Sequence, residues 1–126
     1  MKDFKKYFHL SADPKDVYNA LTNKLMLEIW TGEDAVMEEE AGTEFSLWDG
    51  SICGKNLEFV KDHKLVQEWY FGERNEPSIV TIKLFNDKGG TSMEVRHTNI
   101  PDEAYDNIVD GWQEDYFDAL NQLFEE

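Results

Sequence analysis

Basic residues are scarce in this chain. Twelve lysines and arginines stand against 27 aspartates and glutamates, giving a formal net charge of −15 and a pI near 4.4. A field of that sign repels phosphate backbones and anionic membranes. Nucleic acid and membrane surfaces are therefore excluded as partners, and a protein with a basic surface is favoured. Cysteine is nearly absent: Cys53 stands alone, so no intrachain disulfide forms. No run approaches the ~20 apolar residues of a membrane helix. Residues Met1 to Leu10 alternate charge with aromatics and lack an apolar signal-peptide core. These absences point to a cytoplasmic protein. Metal signatures of the H-E-x-x-H or C-x-x-C type are missing, and His9, His63 and His97 lack ligand spacing. Gly89-Gly90 precedes a strand pattern, so it reads as a hairpin turn and not a phosphate loop. No cofactor is implied.

What is present is a foldable core. The 126 residues are 40% hydrophobic and 13% aromatic, within the usual size of one domain and rich enough to bury a core. Neither a linker, a repeat nor a low-complexity segment interrupts them, so residues 1–126 read as a single domain. Residues 3–10 alternate, with Phe4, Lys6, Phe8 and Leu10 on one face, and form an opening strand. Asp13-Pro14 starts a helix, with Asp13 capping the free amides and Pro14 at the first helical position. Val17, Tyr18, Leu21 and Leu25 recur at helical spacing. Thr22-Asn23 breaks this into two short helices, the second carrying Leu25, Ile29 and Trp30 and ending at Gly32. The period then changes to two. It predicts strands over 34–38, 43–48, 53–60, 65–71, 78–86 and 91–98. Turn residues separate them at 41–42, 49–50, 62–63, 75–77 and 87–90. Such short links favour an antiparallel meander.

The most informative segment is the last, a long helix over about 102–124. On a wheel of 3.6 residues per turn, Tyr105, Ile108, Val109, Trp112, Tyr116, Ala119 and Leu123 share one side, with Leu120 at its edge. The acids fall mostly opposite. A helix with a heavy aromatic face after a run of strands needs a sheet to cover, and such a sheet gripping a helix often encloses a cavity. Trp30, Trp48, Trp69 and Trp112 all sit at inward or hairpin positions. They serve either as core packing or, with Phe45, Phe71 and Tyr116, as walls of an apolar pocket. His97 follows Met93 and Val95 on one strand face. It is either a hydrogen-bonded core residue or a polar hook in that pocket; no placed nucleophile or acid makes it a catalytic base. Cys53 reads as a strand residue, with no motif pairing it to a histidine. Glu38-Glu39-Glu40 reads as a solvated turn approach. With Glu33, Asp34, Glu44 and the acids of the last helix, it also offers an acidic surface for a basic partner.

Five stretches carry a family resemblance: Val17-Tyr18-Asn19-Ala20-Leu21-Thr22 with Ile29-Trp30; Glu44-Phe45-Ser46-Leu47-Trp48-Asp49-Gly50-Ser51-Ile52-Cys53-Gly54; Phe59-Val60 through Lys64-Leu65-Val66-Gln67-Glu68-Trp69-Tyr70-Phe71; Thr81-Ile82-Lys83-Leu84 with Thr91 to His97; and Gly111-Trp112-Gln113-x-x-Tyr116-Phe117. Together they resemble the helix-grip (START-like, SRPBCC) superfamily. More narrowly, they resemble the C-terminal domain of activators of the heat-shock protein 90 ATPase and single-domain bacterial proteins of that family. The resemblance implies an α+β fold, a curved antiparallel sheet wrapped around the long C-terminal helix, with two short helices after the first strand. It implies a non-catalytic module that binds a heat-shock-protein-90-type chaperone in the stress response. In the eukaryotic activators a separate N-terminal domain contributes much of the stimulation, and this chain has no room for one. The alternative is a carrier of a small apolar ligand between sheet and helix, in a pocket of Trp30, Phe45, Trp48, Trp69, Phe71, His97, Trp112 and Tyr116.

Overall fold

Alternating apolar and polar residues build most of the chain into strands, and the computed structural model describes residues 1–71 and 77–125. Strand β1 (Lys2–Leu10) is followed by helices α1 (Pro14–Thr22) and α2 (Lys24–Thr31). Strands β2 (Glu44–Leu47), β3 (Ile52–Val60), β4 (Lys64–Trp69), β5 (Ser78–Asp87) and β6 (Gly90–Ile100) come next. The last segment runs through a 3₁₀ turn (Asp102–Ala104), α3 (Tyr105–Gly111), a π-helical stretch (Trp112–Phe117) and α4 (Asp118–Phe124). The six strands form one antiparallel sheet in the order β1-β6-β5-β4-β3-β2, so β2 to β6 are a meander and β1 closes against β6. One apolar cluster fills the space between the inner sheet face and the helices. This is the arrangement expected from the pattern.

Four local expectations need correction. The segment 34–38 is not a strand: only Val36 bridges Ser46, leaving β2 as the edge. Asp13 stands at the N-cap of α1, yet its side chain makes no capping bond. The working cap belongs to α2, where Asn23 Oδ1 accepts from the Met26 amide at 3.0 Å. Asn23 is extended (φ −101°, ψ 123°), which re-phases the second helix. Leu27 and Trp30 therefore turn inward, while Leu25 and Ile29 are 68% and 64% exposed. Gly32 ends α2 in the left-handed region at φ 78°, as a C-cap glycine does. Asn75 and Glu76 of the expected turn lie outside the described residues.

The fourth correction concerns the last helix. A straight α-helix places Leu120 about 80° round from Trp112. The π stretch over residues 112–117 closes its bonds one residue later, so the chain downstream is turned back. Trp112, Tyr116 and Leu120 become one buried spine, and Ala119 and Leu123 are only half-buried. Phe117 instead stacks on Phe8 of β1, with ring centroids 4.7 Å apart.

Sheet register sets the geometry beneath that spine. Phe45, Gly54, Trp69 and Ser78 lie opposite one another across β2, β3, β4 and β5. Asn56, Gln67, Val80 and His97 form the next row. Gly54 is required in its row, because a Cβ there would run into the Glu68 carbonyl of β4.

Candidate functional site

The interior between sheet and helix is filled by aromatic rings in mutual contact. Trp69 stacks on Trp112 with centroids 5.0 Å apart, and Trp112 meets Tyr116 at 4.5 Å. Tyr116 in turn touches Trp30 at 5.2 Å and Trp48 at 5.9 Å. Phe45 is buried in the same cluster, and Phe71 is half-buried with its ring 6.0 Å from His97.

Polar groups inside this cluster are committed to one another. Trp112 Nε1–H donates to His97 Nδ1 at 3.1 Å. That makes Nδ1 an acceptor, so the proton of the neutral ring sits on Nε2. The Nε2–H then donates to Ser78 Oγ at 2.7 Å, and the Ser78 hydroxyl donates to the Thr98 carbonyl at 3.1 Å. Burial lowers the His97 pKa from 6.5 to about 4, so the ring is neutral at pH 7. Both ring nitrogens are occupied, which leaves His97 nothing to offer a substrate as a base. A second chain runs from Trp69 Nε1–H to Gln67 Oε1 at 3.1 Å and from Gln67 Nε2 to Asn56 Oδ1 at 2.9 Å. The indole of Trp30 donates to the Ala20 carbonyl at 2.9 Å. Among the described residues no buried side-chain nitrogen or oxygen is left without a partner.

The open space lies at one edge of this interior. A groove of about 570 Å³ runs between the C-terminal helix and the β2–β3 hairpin. Its apolar floor is Trp48, Ile52, Trp69, Ile108, Trp112 and Tyr116, and its rim holds Glu33, Glu114, Asp115 and Asp118. Of the eight residues expected to share a pocket, Trp48, Trp69, Trp112 and Tyr116 come together here. Trp30, Phe45, Phe71 and His97 do not line it.

Trp48 is held in position by its backbone. It adopts φ 52°, followed by Asp49 at φ 53° and Gly50 at φ 95°. A positive φ is uncommon for a bulky residue and marks a strained turn. The Ser51 amide bonds back to the Trp48 carbonyl and the Asp49 amide reaches the Asp34 carbonyl, fixing the turn. The ring then packs edge-on against Trp30 at 5.6 Å. Unlike the other three indoles, its N–H donates to no described residue.

A family model for "Activator of Hsp90 ATPase homolog 1-like protein" matches residues 11–125. The chain belongs to this family. It is 31% identical over 126 residues to an activator of 90 kDa heat shock protein ATPase homolog from Dictyostelium discoideum, covering 98% of this chain and 33% of that protein. The human homolog 1 is 29% identical over 115 residues, covering 90% and 34%. The chain thus spans about a third of the length of these curated relatives. An HSP90 activator from Plasmodium falciparum, seen in a crystal structure, superposes with a TM-score of 0.88 at 26% identity, covering 98% and 96%. The Aha1 dimer from Colwellia psychrerythraea has the same fold, with a TM-score of 0.84 at 15% identity, covering 99% and 97%.

Within this activator-related fold, the residues that carried the resemblance divide by role. Trp112 and Tyr116 of the last-helix motif and Trp69 of β4 form the core and the floor of the groove. Trp48 of the hairpin motif shares that floor. The relatives are named as activators and not as catalysts. Sequence reasoning missed one feature. The Asn56–Gln67 pair was hidden because two polar residues on inward strand faces look like pattern errors until register places them opposite each other. Glu33 and the last-helix acids, grouped in the sequence as one acidic surface, do meet at the rim, which spacing alone does not show because they are far apart in the chain. Glu38-Glu39-Glu40 takes no part in it; Glu39 accepts from the Tyr18 hydroxyl at 2.7 Å.

Proposed function

We propose that residues 1–126 act as one non-catalytic interaction module that docks a heat-shock-protein-90-type chaperone in the cytoplasm during stress. The observation that carries this reading is the family match along nearly the whole chain. Charge supplies the physics. Residues 102–126 hold nine carboxylates and no lysine or arginine, so the helix side of the molecule attracts a basic surface. Attraction of this kind raises association rates more than affinity and is screened over ~8–10 Å at ordinary salt. Both ring nitrogens of His97 are engaged, which supports the non-catalytic reading.

Titrating the protein into its cognate chaperone at two salt concentrations, with ATPase rate recorded alongside, tests the proposal. Weak binding that strengthens at low salt, with little stimulation, is expected because this chain corresponds to a third of the activators' length. No binding at low salt removes the chaperone from the account. A second reading, a carrier of a small ligand with an apolar body, is supported by the groove, whose volume lies in the range of small-molecule sites.

A further inference from the structure

Resting on the carrier reading, we infer that the groove takes small amphipathic organic cations: an ammonium group carried on an alkyl or aryl body. Four observations converge. The lining is largely aromatic, from Trp48, Trp69, Trp112 and Tyr116, and aromatic rings attract an ammonium. The rim carries Glu33, Glu114, Asp115 and Asp118, and no lysine, arginine or histidine lines the groove among the described residues. None of these four carboxylates forms an ion pair with a described residue. Asp118 accepts only the neutral Gln113 amide, at 3.3 Å.

The fourth observation is Tyr116. It is only 3% exposed and it lines the groove. Its hydroxyl has no partner among the described residues, whereas no described buried oxygen is unpartnered. That oxygen is therefore not sealed off, and the residue that carries it lines the groove. Burial holds its pKa well above the usual phenol range, so it stays protonated and offers a lone pair and a proton to a ligand. An acidic rim by itself is a solvated face. An acidic rim around an aromatic floor, with an unpartnered hydroxyl on one of the lining rings, is a site with a preferred sign.

The same features disfavour the acids that an apolar cavity otherwise accepts. A carboxylate ligand would enter against four fixed negative charges and against the field of the whole chain.

Octyltrimethylammonium, octanol and octanoate, each below its aggregation concentration, separate charge from apolar burial. Binding is read from tryptophan fluorescence and from the indole resonances in ¹H–¹⁵N spectra. The cation is expected to bind at least about tenfold more tightly than octanoate, with octanol between, and to weaken as salt rises. The triple substitution Glu114→Gln, Asp115→Asn and Asp118→Asn should remove about tenfold of the cation's affinity and leave octanol unchanged. Its thermal midpoint checks that the fold is intact. Trp48→Leu should weaken the cation more than octanol, since it removes a ring and keeps an apolar side chain. Equal binding of all three probes, or a triple variant that still prefers the cation, overturns the charge inference while leaving a carrier. Binding of none, or shifts that bypass Trp48, overturns both; the chaperone titration is independent of either result.

Discussion

The interior and the groove are built from the same rings and differ in what happens to their polar atoms. At the interior, Trp112, His97 and Ser78 pass one hydrogen-bonded chain to the backbone of β6, and Trp69, Gln67 and Asn56 pass another along the sheet. At the groove, a few ångströms along the same helix, the Tyr116 hydroxyl and the Trp48 indole have no partner among the described residues, and four carboxylates stand without counter-charge. Buried polar groups left unpaired cost free energy, so evolved cores pair them. Aromatic content therefore does not distinguish core from groove here. Polar satisfaction does.

The comparison breaks most readily at Trp112, which is 2% exposed and belongs to both regions. Trp112→Ala removes the ring that stacks on Trp69 and strands His97 Nδ1, and it should cost about 3–5 kcal/mol in urea melts. A loss below about 1 kcal/mol would mean that the helix face is wrongly assigned.

His97 sharpens the contrast through pH. Its folded pKa of about 4 lies below the ordinary imidazole value of 6.5 that an unfolded chain has. Above pH 6.5 both states are neutral and the difference contributes nothing unfavourable. As pH falls from 6.5 towards 4, only the unfolded chain takes up the proton, so stability is lost in that window. Between pH 7 and 5 the wild type should lose about 2 kcal/mol more than His97→Gln does. Parallel stability curves for the two proteins would show that the imidazole is not held neutral.

The smallest effect belongs to the rim. Substituting Asp115→Asn and Asp118→Asn together should shift stability by no more than about 0.5 kcal/mol, as surface changes without partners do. A loss of about 2 kcal/mol would reveal that these carboxylates are structural after all. A slight gain is also consistent, since like charges crowd this helix.

Much of this was legible in the sequence. Five predicted strands after the helices, the opening strand, the α1–α2 break and the Gly32 stop follow from period, turn residues and caps, and all are present. The segment 34–38 alternates too, but Val36 pairs with Ser46 alone and the rest of it finds no ladder. The π stretch could not be read, because its extra residue per turn is imposed by packing Trp112, Tyr116 and Leu120 against one sheet. For the same reason Leu25 and Ile29 looked inward: the wheel was carried across Asn23, where the chain breaks phase. At the site, the aromatic residues were identified by pattern. Which four of them meet at a groove depends on the hairpin turn at Trp48, whose positive φ no propensity predicts.

The central claim is that, among the described residues, the polar atoms of the interior are closed upon one another while the groove keeps open ones, with Trp48 as its half-buried ring. Hydrogen exchange of the four indole N–H groups, followed by ¹H–¹⁵N NMR after transfer to heavy water, tests this directly. The account predicts that Trp48 exchanges first and fast, while Trp30, Trp69 and Trp112, bonded to the Ala20 carbonyl, Gln67 and His97, remain protected until larger openings release them. Exchange of Trp69 or Trp112 as fast as Trp48 would contradict it.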